Sequence, residues 1–238
     1  MRIPRISYPI LLGALAETVL IPFFAAAAPL GWPFALGSGG IKPSVAISSD
    51  GTQHYVWWNS NTNRIQYSAC TGDDGSYCTD SVDLPSNGAS YYPGIAIDPQ
   101  GRPNVVFETK SAGSYQVFWT RKETSGWTSP MQISNEPYSE LPDIAIGPKG
   151  IIHVTYQSKQ SSTGYVYYAE NSGGNWNAPE VFDRAQSDKP LVTFADKVEL
   201  ESNQESGGQV ANGLYPRVAV DANDHAHIVW NAPSPYRI

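Results

Sequence analysis

The sequence predicts an all-β protein made of β-propeller blades, each of four antiparallel strands, with about three complete blades and part of a fourth in an incomplete ring. Three observations lead there: a segment that recurs four times, turn residues at a fixed place in each copy, and a composition low in charge. Of the 238 residues, 16% are charged and 12% aromatic, with 21 Gly and 19 Pro. That is the make-up of many short strands joined by turns, not of helices. The net charge of -7 gives the chain no electrostatic reason to bind nucleic acid, and no basic patch offsets it.

The repeat carries most of the argument. Four segments align without gaps: PSVAISSDGTQHYVWW from Pro43, PGIAIDPQGRPNVVFE from Pro93, PDIAIGPKGIIHVTYQ from Pro142 and PRVAVDANDHAHIVWN from Pro216. In each, a short strand of apolar residues surrounds a small one, Ala46, Ala96, Ala145 or Ala219, which suggests close approach to a neighbour. A turn residue follows eight positions after the proline: Gly51, Gly101, Gly150 or Asp224. The chain then returns and reaches an aromatic residue, Trp57, Phe107, Tyr156 or Trp230. Two strands joined by a tight turn make a β-hairpin.

A third, aromatic-rich strand follows in three copies: RIQYSA, YQVFWT and YVYYAE. A fourth element comes next, WTSPMQIS or WNAPEVFD, with CTDSVDL in that place in the first copy. Four antiparallel strands repeated at about 50 residues describe a propeller blade. The expected blades cover 41–90, 91–139 and 140–212, with a partial blade over 213–238. The third carries an insertion over 184–212, within which VTFADKVEL has the composition of an added strand or short hairpin. Aligned on the prolines, Arg237-Ile238 matches Arg64-Ile65, so the sequence stops as a third strand begins. Either further repeats follow, or copies of the chain complete a ring as a homo-oligomer.

The pattern P-x-[IV]-A-[IV]-D-x-x-G-x-x-H-[IV]-V-W, followed by an aromatic strand and a W-x-x-P strand, resembles the repeats of sialidase-like propellers of the BNR, or Asp-box, type. Residues Ala169 to Trp176, AENSGGNW, keep the Gly and Trp of an Asp-box with Asn in place of Asp, whereas TRKETSGW keeps little beyond the Trp. The resemblance covers 41–238 and implies an exported propeller that binds carbohydrate or another extracellular protein. Enzymes of this family use three arginines on the substrate carboxylate, a Tyr helped by Glu, and an Asp acid/base. No convergent arginine triad can be assembled from Arg64, Arg102, Arg121, Arg184, Arg217 and Arg237, so no catalytic residue is assigned. An exo-sialidase-type glycoside hydrolase with part of its site in further blades is the alternative, and a structural repeat region of a surface protein is the third reading.

Residues 1–40 read differently. Arg2 and Arg5 precede an apolar stretch, with small-residue exits at Ala14-Leu15-Ala16 and Ala26-Ala27-Ala28. This is the layout of a secretory signal peptide. An N-terminal membrane anchor is the alternative, although Glu17, Pro9, Pro22 and Pro29 interrupt it. Either way the blades lie outside the cytoplasm, where Cys70 and Cys78 form a disulfide closing a short loop. Two sulfurs without a matching His or Cys do not make a tetrahedral metal site. No metal and no cofactor is expected.

His54, His153 and His227 each lie eleven residues after a repeat proline, where the second copy has Asn104. A residue that recurs once per blade serves each blade, so these are expected to make structural hydrogen bonds. His225 is a turn residue with no evident partner. The loops after the second strands, and those entering each new blade, share one face of a propeller. That face is expected to hold Asn59, Glu108, Gln157 and Asn231, with Asp143 and Arg217 just after two of the prolines, as the ligand-contacting set.

Overall fold

The computed structural model describes residues 38–72, 77–111, 113–160, 163–177, 180–181, 193–195 and 214–231. The expected signal or anchor up to residue 37, residues 232–238 and most of the 184–212 insertion lie outside them. The described chain contains strands and no helix.

The first sheet consists of β1 (Gly40–Ile47), β2 (Gln53–Asn59), β3 (Arg64–Thr71) and two short pieces on β3, β4 (Tyr77–Cys78) and β5 (Val82–Asp83). The second repeats it with β6 (Ser90–Ile97), β7 (Pro103–Ser111), β8 (Ser114–Glu123), β9 (Gly126–Trp127) and β10 (Met131–Gln132). The third has β11 (Ser139–Ile146), β12 (Ile152–Gln160), β13 (Thr163–Ser172), β14 (Asn175–Trp176) and β15 (Glu180–Val181). All ladders are antiparallel. The expected fourth strand is thus two short pieces with a break between them. In the second sheet the break contains Pro130, which has no N–H to give to a ladder.

The last sheet joins β17 (Leu214–Val220) to β18 (Ala226–Asn231), with β16 (Thr193–Ala195) on the other side of β18. Thr193, Phe194 and Ala195 pair with Ile228, His227 and Ala226. The insertion therefore does add a strand, and it takes the place beside the second strand that a third strand takes in the other sheets. It covers a hairpin edge that would otherwise be an open template for pairing.

Each hairpin turn closes with the expected residue in the left-handed region: Gly51, Gly101 and Gly150 at φ 85°, 77° and 82°, and Asp224 at 69°. Their N–H groups donate to Ser48, Asp98, Gly147 and Asp221. Asp224 does more than replace glycine. Its buried carboxylate accepts the Lys149 N–H at 2.9 Å, tying the fourth hairpin turn to the third. Gly147 makes room for it, since a Cβ there would overlap the carboxylate.

Three cores lie between successive sheets. Val56, Ile65, Tyr67 and Leu84 meet Ile95, Val105, Phe107 and Phe118. Val106, Val117 and Trp119 meet Ile144, Val154 and Tyr156. Val166 and Tyr168 meet Val218, Ala226 and Ile228. Three of the four repeat alanines fit this scheme: Ala46, Ala96 and Ala145 pack against these cores in turn, whereas Ala219 is exposed. The Asp-box-like turns contribute wedges. Trp127 and Trp176 each set an edge against a ring of the preceding sheet, Tyr67 at 5.0 Å and Trp119 at 5.7 Å. Asn171 stands where an Asp-box has Asp, and its Oδ1 accepts the Gly174 N–H at 3.0 Å.

Cys70 and Cys78 form the expected disulfide, facing each other across β3 and β4. Two of the three repeat histidines tie the second strand to the third. His54 Nδ1 lies 2.7 Å from the Tyr67 hydroxyl and His153 Nδ1 lies 2.6 Å from that of Tyr168. Asn104 does the same work, accepting the Trp119 indole N–H at 3.2 Å. His225 does have a partner, the Asp221 carboxylate at 2.9 Å.

Candidate functional site

The inner strands β1, β6, β11 and β17 neighbour one another in chain order, and each contains a proline. Each of these strands ends its own sheet and pairs on one side only, and a proline is tolerated at such an edge or at a bulge, where its missing N–H is not needed. All four strands have that bulge. The register shifts between Ile41 and Ser44, Tyr91 and Gly94, Glu140 and Asp143, and Leu214 and Arg217. The residue before each proline sits in the left-handed region: Lys42 (φ 53°), Tyr92 (47°), Leu141 (52°) and Tyr215 (56°). Non-glycine residues pay about 1–3 kcal/mol for such conformations, and they cluster where a ligand or mechanism uses them.

All four of these residues line one cleft of about 680 Å³. Of the six residues expected to contact ligand, the cleft gathers Glu108, Asp143, Gln157 and Arg217. Asn59 is not among its lining residues. Its amide donates to Gln66 at 3.0 Å and its Oδ1 accepts the Asn61 N–H at 2.9 Å. The cause is register: Tyr91 pairs with Glu108 and Glu140 with Gln157, but Ile41 pairs with Trp58, so Trp58 holds that place in the first sheet. Asn231 pairs with Leu214 at the end of β18, and its side chain lies outside the described residues.

Three polar side chains of the cleft accept backbone N–H groups of the next sheet. Glu108 Oε2 accepts the Leu141 N–H at 2.8 Å, and Gln157 Oε1 accepts the Tyr215 N–H at 2.9 Å in the same way. Asp143 Oδ2 accepts the Val218 N–H at 2.9 Å. Burial pushes the Glu108 carboxyl up to about 8, and the charge of Glu140 adds to this, while the Leu141 N–H opposes it. Burial also raises Asp143, against the N–H groups of Val218 and Ile144 and the charge of Arg217. One carboxyl that keeps its proton near neutrality thus stands in a cleft with Asp143 and Glu140. A carboxyl in that state donates a hydrogen bond or a proton.

Sequence reading missed the aromatic part of the wall. Tyr92, Tyr115 and Tyr215 line the cleft. Behind Tyr92 and Tyr115 stand Trp58 and Tyr91: Trp58 is edge-on to Tyr91 at 4.9 Å and tilted to Tyr92 at 5.9 Å, and Tyr91 is edge-on to Tyr115 at 5.8 Å. Lys42 Nζ lies 5.5 Å from the centre of the Tyr92 ring. Glu140 was missed too. The available signal was the proline itself, which marks a bulge when it falls inside a strand pattern. Among the described residues, no three His, Cys, Asp or Glu side chains are grouped to hold a metal ion.

No family model matches the chain, and no curated protein matches it in sequence. Solved structures do match. An α-L-arabinofuranosidase from Lactobacillus brevis is similar over 85% of this chain and 86% of its own, at 10% identity and a TM-score of 0.51. A protein of unknown function from Dyadobacter fermentans is similar over 82% of this chain and 77% of its own, at 12% identity and a TM-score of 0.51. A fucose lectin from Kordia zhangzhouensis is matched over 60% of this chain and 99% of its own, at 10% identity and a TM-score of 0.41. The two likenesses at 0.51 bear on the fold, which is all-β and β-propeller-like, with three antiparallel sheets of four strands, the fourth in two pieces, and a last sheet of three described strands.

Proposed function

We propose that this chain is an exported carbohydrate-binding protein whose four sheets are consecutive propeller blades and whose cleft receives the sugar. The observation that carries the proposal is the convergence of Tyr92, Tyr115 and Tyr215 with the carboxyls of Glu108, Glu140 and Asp143 in that one cleft. Sugars present C–H faces that stack on aromatic rings and hydroxyls that bond to buried polar groups, and a concave site with both is suited to them. The fold shared with an arabinofuranosidase is consistent with a saccharide ligand. Export accords with the disulfide and with the basic-then-apolar N-terminus.

The test is a glycan array followed by calorimetry on the best ligand, with Tyr92→Ala and Tyr115→Ala alongside. Binding that drops at least tenfold in both variants while near-ultraviolet circular dichroism is unchanged supports the site. A protein that retains no glycan, or variants that bind as well as the parent, would falsify it.

One observation favours a second reading, glycoside hydrolysis. Glu108 is poised to give a proton while Asp143 and Glu140 share its cleft, which is the division of labour between two carboxyls that glycosidases use. In the sialidase-like version Arg217 would meet a substrate carboxylate. Release of a fluorophore from a sialoside or an arabinofuranoside, lost in Glu108→Gln, would establish hydrolysis. Loss in Arg217→Ala for the sialoside alone would establish the sialidase type.

A further inference from the structure

The three cores between sheets repeat one contact. In the first two sheets the alanine three residues after the repeat proline and the valine thirteen after it face the following sheet, and in the third sheet the alanine does. The residues two and twelve after it face the preceding sheet. Ala46 and Val56 thus share a core with Ile95 and Val105, Ala96 and Val106 share one with Ile144 and Val154, and Ala145 shares one with Val218 and Ile228.

The two halves of this contact are left uncovered at the two ends of the array. Val45 corresponds to Ile95, Ile144 and Val218, which are 6%, 6% and 9% exposed, yet Val45 is 55% exposed. Ile41 and Ile47, on the same strand, are 41% and 66% exposed. At the other end Val229 corresponds to Val56 and Val106, both fully buried, yet it is 47% exposed, and Ala219 is exposed as well. The first sheet therefore offers the half that faces a preceding sheet, and the fourth offers the half that faces a following one.

We infer that these two faces bind each other between copies of this chain, head to tail, with the fourth sheet of one copy packed on the first sheet of the next. What fits the open face of the first sheet is a sheet with the alanine and valine of this repeat. The chain carries that sheet itself, with Ala219 and Val229 in the register that makes the contact twice with both residues and a third time with the alanine. Apolar faces of this kind on an isolated soluble chain mark interaction sites. A heterologous contact leaves one half free at each end of an assembly unless a ring closes, and a ring of copies leaves neither half exposed. The same contact acts on the cleft. Lys42 and Ser44 border it from the first sheet, and Tyr215 and Arg217 from the fourth. A neighbouring copy therefore sets its own Tyr215 and Arg217 against the open side of Lys42, and completes the cleft wall there.

The experiment is light scattering on the full chain after size exclusion, over a wide range of concentration. The expected result is a discrete oligomer. Val45→Asp with Ile47→Glu spoils one face, and Val229→Asp spoils the other. Because these side chains are exposed, both proteins keep the parent's near-ultraviolet circular dichroism, and each runs as a monomer. Mixing them restores a species of two chains and no more, since each supplies the half that the other lacks. A monomeric parent overturns the inference, whether a segment of the chain itself or nothing at all covers the faces. So does an oligomer that survives both sets of changes, one abolished by only one set, or a mixture that stays monomeric.

Discussion

The carboxyl of Glu108, on a second strand, accepts the backbone N–H of Leu141, which precedes the proline of the next sheet, at 2.8 Å. Gln157 and Tyr215 repeat that relationship one sheet further on. A bulge frees an N–H from the ladder, and the preceding sheet supplies an acceptor for it. The side chains that join the sheets and the side chains that line the cleft are therefore the same ones.

That double role sets a pH dependence. With its carboxyl raised from 4.5 to about 8, Glu108 holds its proton more tightly folded than unfolded. Between those values the unfolded chain has released the proton and the folded chain has not, so stability falls as pH rises from about 4.5 to about 8. Glu108→Gln keeps an oxygen for Leu141 and removes the titration. Its urea midpoint is expected to match the parent's near the acid end of that window and to exceed it near the alkaline end. Equal midpoints at both ends would show that Glu108 ionises normally.

Asp224 and Gly147 form a second coupled pair. Glycine at 147 would be unremarkable in a turn, but here the space of its missing Cβ is filled by the Asp224 carboxylate that accepts the Lys149 N–H. Gly147→Ala is expected to cost about 2 kcal/mol or more, because a packed, buried group must move. Asp224→Gly is expected to cost about 1 kcal/mol, with its lost hydrogen bonds partly offset by relief of a left-handed aspartate. The double variant should be more stable than the sum of the two changes, and additive costs in a double-mutant cycle would refute the coupling.

The four-sheet plan was legible in the sequence because the repeat fixes register. Prolines at 43, 93, 142 and 216 place every hairpin turn and every inward alanine. The same prolines also announced the bulges, but a pattern that treats the residue before each proline as a spacer passes over Tyr92 and Tyr215. Asn59 was placed one residue off, because the aromatic fourteen positions after Pro43 is followed by a second, Trp58, which takes the place that Glu108 and Gln157 hold elsewhere. The bond from Tyr215 to Gln157 joins residues 58 apart across two sheets, and no local spacing encodes it. The β16 strand was legible only as composition, since its pairing with β18 is tertiary.

The disulfide should contribute chiefly through the unfolded chain. Cys70 and Cys78 are separated by 8 residues and face each other across a two-residue strand. Closing so short a loop is worth about 2–3 kcal/mol in the chain-entropy view. Cys70→Ala with Cys78→Ala is expected to lower Tm by about 2–4 °C per kcal/mol lost, as for a chain of this size. Reducing agent should lower the parent's Tm equally and leave the variant unmoved. A variant as stable as the parent would assign the cysteines no structural role.

The repeat histidines set the acid limit. His54 and His153 are buried against tyrosine hydroxyls, and burial comes first among the causes that hold both imidazoles below 6.5; Lys122 adds to this at His54. As pH falls below 6.5, the unfolded chain takes up protons that the folded chain refuses, so stability is lost in that direction. The second sheet suggests the replacement, since Asn104 fills the equivalent place without titrating. His153→Asn costs stability at every pH, because Asn cannot reproduce the ring's packing on Tyr168. Its loss on acidification, however, is expected to be shallower than the parent's below pH 6.5 and parallel to it above. Between about pH 4.5 and 6.5 the histidine and Glu108 slopes oppose each other, and from 6.5 to about 8 Glu108 alone of these three groups acts, carrying stability down. A parent profile that keeps rising through neutrality, or a His153→Asn profile with the parent's full acid slope, would contradict this assignment.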